Sequence, residues 1–305
     1  MPLLSSTMGG SLRAYSDLFR VENSLTGLIG VVIGAVVVNG ANFTTEEGVV
    51  VSTFGLSVMF FMFSWNACND LTDVENDRVN RPDRPLPSGR VDVASAKVGL
   101  ILTMLLSLSF LMVGLVRLTA MGEGDNAVYS GLIWLFAITL LVLYEGIGGI
   151  KGLKHTGLIG NFSIALAIGM DVLFGAAGLG GSTNDKVLAL AGMALAFSFA
   201  REVIKDIEDV EGDFDRITFP KKVGLETARA IAWLLTLLAL ILLIGPFLVE
   251  IFPIHHIILV APGAFLLTLV KSKLYLEEDK AAQYLIKRSL QISMIGVIIS
   301  SILVG

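Results

Sequence analysis

Residues 49–68, VVVSTFGLSVMFFMFSWNAC, run twenty positions without a charged side chain and then meet residues 69–77, NDLTDVEND. At 1.5 Å rise per residue, such a run reaches about 30 Å, the thickness of bilayer hydrocarbon. It reads as a membrane-spanning helix that ends in an acidic step. The step recurs: Asp70, Asp73 and Asp77 are matched 136 positions later by Asp206, Asp209 and Asp213, again after a long apolar stretch. Nine apolar runs are long enough to span, at about 21–40, 49–68, 95–117, 128–147, 157–179, 186–204, 228–250, 254–271 and 288–304. With 54% hydrophobic residues, 16% charged residues and a mean hydropathy of +0.78 over 305 positions, the chain is too apolar for an ordinary soluble domain. The expected fold is all-α: a polytopic bundle of nine transmembrane helices forming one domain over residues 1–305. The first run reads as a permanent span rather than a cleaved signal, since Gly27, Gly30 and Gly34 suit helix packing.

Basic residues orient the bundle. With the N-terminus inside, 20 of the 22 Lys and Arg fall on the cytoplasmic side or within a turn or two of it, the exceptions being Arg117 and Lys186. Loops on the opposite side, near 41–48, 121–127, 180–185 and 250–255, carry neither residue. Both acidic ladders then face the cytoplasm, in cap loops at about 69–94 and 205–227, with a third cap at about 148–156. The expected location is the cell membrane, with the catalytic side inward. Cys68 stands alone, so no disulfide forms within the chain. Nothing points to nucleic acid or to an obligate protein partner.

Steps of three and then four residues return to nearly the same helical angle, so each trio of aspartates is expected to line one face over about two turns. Six converging carboxylates repel unless cations sit between them. Hard oxygen donors select Mg²⁺ or a close relative, and the natural bridged ligand is a polyphosphate. Arg and Lys beside both ladders supply donors for phosphate oxygens, and an apolar bundle accepts a hydrocarbon tail. The chemistry that unites these features is ionisation of a prenyl diphosphate and capture of the allylic cation by an electron-rich, lipophilic acceptor, in walls poor in water.

At these residues the chain resembles the UbiA-type intramembrane prenyltransferases. Asn69-Asp70-x-x-Asp73-x-x-x-Asp77 resembles the family's first signature, and Arg81-Pro82-x-Arg84-Pro85-Leu86 its arginine–proline segment. The stretch from Arg201 to Asp213 resembles the second signature in the form of the archaeal digeranylgeranylglyceryl phosphate synthase branch, and Leu153-Lys154-His155-Thr156-Gly157 with Gly160-Asn161 is similar to the loop between the fourth and fifth helices. The resemblance implies a nine-helix bundle around a central cavity, with two Mg²⁺ ions handled by Asp70, Asp73, Asp77, Asp206, Asp209 and Asp213. It implies substrate contacts from Asn23, Asn69, Arg84, Lys154 and Lys205. Tyr144 joins them although the glycine-rich interval to Lys154 is longer than the family's. It also implies a geranylgeranyl donor, with geranylgeranylglyceryl phosphate as acceptor.

Rival readings remain beside this one. An aromatic quinone precursor needs the same ionisation machinery but a different pocket. Repeated halves with acidic residues also occur in cation-coupled carriers, although those place their acids at the midplane rather than at the edge. Glu75, Glu208 and Glu211 lie off the aspartate face and read as solvated or ion-paired. Arg201 and Glu202, about a turn deeper, either orient Lys205 and Asp206 or bind substrate. Asp171, about 20 Å into the fifth span by helix rise, reads as an internal hydrogen bond or as a polar group of the cavity. His255 and His256 lie in an outer loop and read as interfacial.

Overall fold

A computed structural model describes residues 3–146, 151–210 and 217–304. In chain order its helices are α1 (Leu3–Leu18), α2 (Val21–Asn39), α3 (Thr45–Thr72), α4 (Val74–Asn80), α5 (Val93–Ala120) and α6 (Gly124–Glu145). After the third cap come α7 (Leu158–Ala177), α8 (Asp185–Glu208), α9 (Phe219–Val223), α10 (Leu225–Leu248), α11 (Ile257–Tyr275) and α12 (Asp279–Val304). No strand occurs among the described residues. Nine of the described helices, all but α1, α4 and α9, are long and apolar enough to cross a membrane, in the order the apolar runs set out.

Local chemistry fixes the helix starts. Thr44 accepts a hydrogen bond from the Glu47 amide at 3.2 Å while the Glu47 carboxylate accepts from the Thr44 amide at 2.8 Å, a reciprocal cap that opens α3. Asp92 accepts from the Ser95 amide at 2.9 Å to open α5, and Asn184 accepts from the Lys186 amide at 2.9 Å to open α8. The largest departure from the expected spans is α12, which begins at Asp279 rather than near 288. Its first turns carry Lys280, Lys287 and Arg288, and these charges hide a helix from a reading based on apolar runs.

Helix α8 lies at the centre, packed against α7, α10, α12 and α2, with Phe197, Val203 and Ile204 fully buried. A second cluster joins α3, α5, α6 and α7, where the rings of Phe54 and Phe174 stack with centroids 4.3 Å apart. Helices α2 and α7 meet backbone to backbone. A Cβ on Gly34 would lie 2.1 Å from the Val172 carbonyl oxygen, and one on Gly175 would lie 1.9 Å from that of Val31. Only glycine permits this approach. The outer faces expose Leu102, Leu105, Leu132, Leu135, Ile241 and Phe265, an apolar belt suited to lipid. At one end, Leu86 and Val91 bury themselves against Leu18 and Ala67, which fastens the arginine–proline loop over the ends of α1 and α3.

Candidate active site

A cavity of about 580 Å³ is lined by α2, α3, α6, α7, α8 and α12. Its walls are apolar, with Val58, Phe61, Trp65, Trp134, Ile138 and Phe174 among them. Where α3 and α8 end, the lining turns polar: Arg20, Asn69, Arg81, Arg84, Arg201 and Lys205. Charge at one end of an apolar well is the arrangement a ligand with an ionic head and a hydrocarbon tail requires.

The first ladder departs from the expected continuous face. The backbone at Asp73 turns to φ −102°, ψ 12°, so α3 stops at Thr72 and a short α4 carries Asp77. Asp70 and Asp77 nonetheless share a partner, because Arg84 donates to Asp70 at 3.3 Å and also to Asp77. Arg20 donates to Asp70 as well. The loop that presents Arg84 closes on itself, with the Ser88 hydroxyl donating to the Arg84 carbonyl at 2.6 Å. Arg20 sits in the left-handed region at φ 46°, a conformation that costs a non-glycine residue roughly 1 kcal/mol or more and persists where surroundings impose it. Burial lowers the pKa of its guanidinium from the ordinary value, against the opposing pull of Asp70.

Asp73 turns elsewhere. Lys154 donates to it at 2.9 Å and to Glu145 at 2.7 Å, while Asn69 donates to Asp73 at 3.1 Å and to Glu145 at 2.9 Å. Lys154 and Glu145 are nearly buried, so this four-residue cluster pins the third cap to the end of α3. Tyr144, one residue earlier, lines the cavity, as does Asn23 of α2.

In the second ladder, Asp206 accepts from the Asn161 side chain at 3.0 Å. Asp209, just past the end of α8, accepts from Arg81 through both oxygens, at 2.9 and 2.7 Å. Arg81 belongs to the loop after the first ladder, so one side chain ties the two ladders across the cavity mouth. Asp213 lies outside the described residues. Lys205 donates to Glu202 at 3.2 Å, on the α8 face that looks toward α12.

The sequence sets Asn23, Asn69, Arg84, Lys154, Lys205 and Tyr144 at a substrate site. All but Lys154 line the cavity, and Lys154 is one contact away from it through Asp73 and Asn69. Arg20, Arg81 and Glu145 join the site without having been expected there. Arg81 carries a signal in the arginine–proline segment. Arg20 and Glu145 have no local signal beyond standing at the ends of apolar runs. Asp171 lines the cavity, with its Cβ 3.4 Å from where Gly30 would carry one.

The donor chemistry at the mouth is carboxylate and amide oxygen, the set that hard divalent cations prefer. Among the described residues no three acidic, histidine or cysteine side chains gather on one point as a metal cage would need. The aspartates are instead held by bases: Asp70 by Arg20 and Arg84, Asp77 by Arg84, Asp73 by Lys154, and Asp209 by Arg81. The residues therefore fit such an ion in donor type, once these bases turn to another anion.

Comparison with known proteins identifies the family. Residues 27–294 match the model of the UbiA prenyltransferase family. The digeranylgeranylglyceryl phosphate synthase of Methanocaldococcus jannaschii is 32% identical over 297 residues, covering 96% of each chain. That of Methanosarcina mazei is 35% identical over 267 residues, covering 83% of this chain and 86% of the relative. A solved structure from work on digeranylgeranylglyceryl phosphate synthase in membranes superposes with a TM-score of 0.68 at 29% identity, covering 96% of this chain and 99% of the other. A UbiA homolog from Archaeoglobus fulgidus, bound to GPP and Mg²⁺, shares the fold with a TM-score of 0.57 at 18% identity, over 93% of this chain and 99% of its own. A match to the family model over most of the chain, and relatives above 30% identity along nearly their whole length, show that the chain is a member of the UbiA prenyltransferase family.

Proposed function

We propose that this chain transfers a geranylgeranyl group from its allylic diphosphate to the free hydroxyl of geranylgeranylglyceryl phosphate, the step that forms the second ether of an archaeal-type lipid. The reading is supported above all by the Arg81–Asp209 contact, which joins the two acidic ladders over the mouth of an apolar cavity. The donor's tail lies among Val58, Phe61, Trp65, Trp134 and Phe174, where its burial is worth about 25 cal/mol per Å² of apolar surface. Its diphosphate meets Arg84, Arg81 and Arg20, with Lys154 to one side. These donors hold the leaving oxygens as charge develops on them, and the ring-lined wall keeps water from the allylic cation. The carbon–oxygen bond to diphosphate breaks with its electron pair on oxygen, the acceptor hydroxyl forms the new ether bond, and its proton passes to water, a carboxylate or the departing pyrophosphate.

In this reading Asp70, Asp73, Asp77, Asp206, Asp209 and Asp213 would hold Mg²⁺, two ions in all, with Asn69 beside them. Such ions supply charge neutralisation to the diphosphate. The ladders face the cytoplasm of the cell membrane, residues 1–305 form one domain, and segments 69–94, 148–156 and 205–227 cap it. Support for the inward orientation is the distribution of Lys and Arg.

The test is direct. Purified protein is incubated with geranylgeranyl diphosphate, Mg²⁺ and either geranylgeranylglyceryl phosphate or an aromatic quinone precursor, and products are read by mass spectrometry. The expected product is the digeranylgeranyl ether, with one pyrophosphate released per ether and none formed when a chelator removes the metal. Prenylation of only the aromatic acceptor would transfer the assignment to quinone synthesis. Cation-driven transport without any product would remove the enzyme reading altogether.

A further inference from the structure

Helix α8 carries two stripes, not one. Glu202, Asp206 and Asp209 stand on the ladder face, and Arg201, Lys205 and Glu208 stand on the next, about 100° around the axis. The second stripe meets α12, where Arg201 donates to Gln283 at 3.1 Å and Gln283 donates to Glu208 at 3.0 Å. All of Arg201, Lys205, Lys280 and Gln283 line the cavity.

Three cations, Arg201, Lys205 and Lys280, stand here against two carboxylates, Glu202 and Glu208. Arg201 reaches Glu202 only at 3.3 Å and Lys205 reaches the same carboxylate at 3.2 Å, whereas charge-assisted bonds of this kind close to about 2.7–2.9 Å. By contrast Arg81 meets Asp209 at 2.7 Å. One carboxylate is being shared between two cations. In addition, the Arg201 Nε is buried and has no hydrogen-bond partner, an arrangement that costs free energy unless something else accepts from it. The ladder side already has its own cations in Arg20, Arg81, Arg84 and Lys154, enough for a diphosphate.

We propose that Arg201, Lys205, Lys280 and Gln283 form a second anion site that takes the phosphomonoester of the acceptor lipid. The site rests on the function proposed above. An acceptor held there by its phosphate brings its glycerol hydroxyl in from the α12 side, while the donor's diphosphate occupies the ladder side. Two anionic heads then share one mouth without sharing cations, and the two stripes of α8 form the divide. Lys205, which the family resemblance sets at the diphosphate, falls on the acceptor side.

The experiment compares geranylgeranylglyceryl phosphate with the same lipid lacking its phosphate, in reconstituted full-length protein. Wild type is expected to favour the phosphorylated acceptor in kcat/KM. Arg201→Gln is expected to cut that preference by about tenfold or more, the loss of one charged hydrogen-bonding partner, while the donor KM holds. Lys280→Gln, on the exposed first turn of α12, is expected to cut it in the same direction, and Arg201→Lys is expected to restore part of it. An unchanged preference in both Arg201→Gln and Lys280→Gln, or a donor KM that rises in parallel, overturns the assignment. So does inorganic phosphate that inhibits as potently as the acceptor lipid, which would make this a site for free phosphate. Absence of any ether product from wild type with either acceptor would instead fell the parent reading, and this one with it.

Discussion

Asp70 is 1% exposed and faces two arginines, so its contribution is charge rather than packing. Removing one partner from a buried pair leaves an uncompensated charge and typically costs about 3–5 kcal/mol, which makes alanine a poor probe at this position. The near-isosteric Asp70→Asn and Asp206→Asn changes are expected to lower kcat/KM by about a hundredfold or more, the scale of losing one preorganised electrostatic group. Asp206→Asn keeps the volume of the acceptor of Asn161, so its melting temperature in detergent should stay close to wild type. Near-normal turnover in both variants would exclude the ladders from the chemistry. Across the mouth, Arg81→Gln and Asp209→Asn should behave as one unit: the double variant loses little more activity than either single one, which a double-mutant cycle reads directly. Full additivity would mean that the two side chains act apart. Among single residues, those embedded in a repeated motif are legible in the sequence itself. Arg20 and Glu145 are not, since Arg20 pairs 50 positions away and Glu145 joins Asn69, 76 positions away, to Lys154, and no local pattern announces such pairings.

Elements are legible to the extent that their composition is one-sided. The spans α5 and α6 are apolar nearly throughout, whereas the apolar pattern understates α12 because its cytoplasmic turns are charged. The break at Asp73 has no signal either: no proline or glycine stands there, and i→i−4 bonds close at 2.9 Å on both sides of it, from the Asp73 amide to Asn69 and from the Asp77 amide to Asp73. Contact between elements is a separate question, and glycine answers it for α2 and α7. Gly175→Leu would thrust a side chain into the Val31 carbonyl, and the helices must part. The expected result is a loss of roughly 1–3 kcal/mol or more, seen as a lower melting temperature or failure to purify as a monodisperse species. Gly192→Ala is the control. It lies within α8 with nothing inside 4 Å of an added Cβ, so helix propensity alone should make it neutral or stabilising, by up to about 1 kcal/mol. A destabilised Gly192→Ala beside a tolerant Gly175→Leu would reverse this account of the packing.

For the molecule as a whole, the distribution of polarity explains how one bundle serves both membrane and chemistry: leucines outward, alanines and glycines between helices, and the basic side chains of the cavity gathered at one end. That much follows from a chain with 54% hydrophobic residues whose acids recur in two blocks. Composition and spacing do not reveal that Arg81 reaches the second block, because this depends on the loop after α4 crossing the cavity mouth to the end of α8. Such pairing has a thermodynamic consequence. On the function proposed above, Asp70, Asp73, Asp77 and Asp209 already have basic counter-ions, so a bare divalent cation would compete with arginine and lysine for their oxygens and gain little. A diphosphate arriving with the metal releases those bases by giving them an anion of their own. Loading is thereby coupled: calorimetry should record weak uptake of Mg²⁺ alone and strong uptake once a non-hydrolysable donor analogue is present, so that the protein ignores the cell's standing magnesium until there is a substrate to ionise.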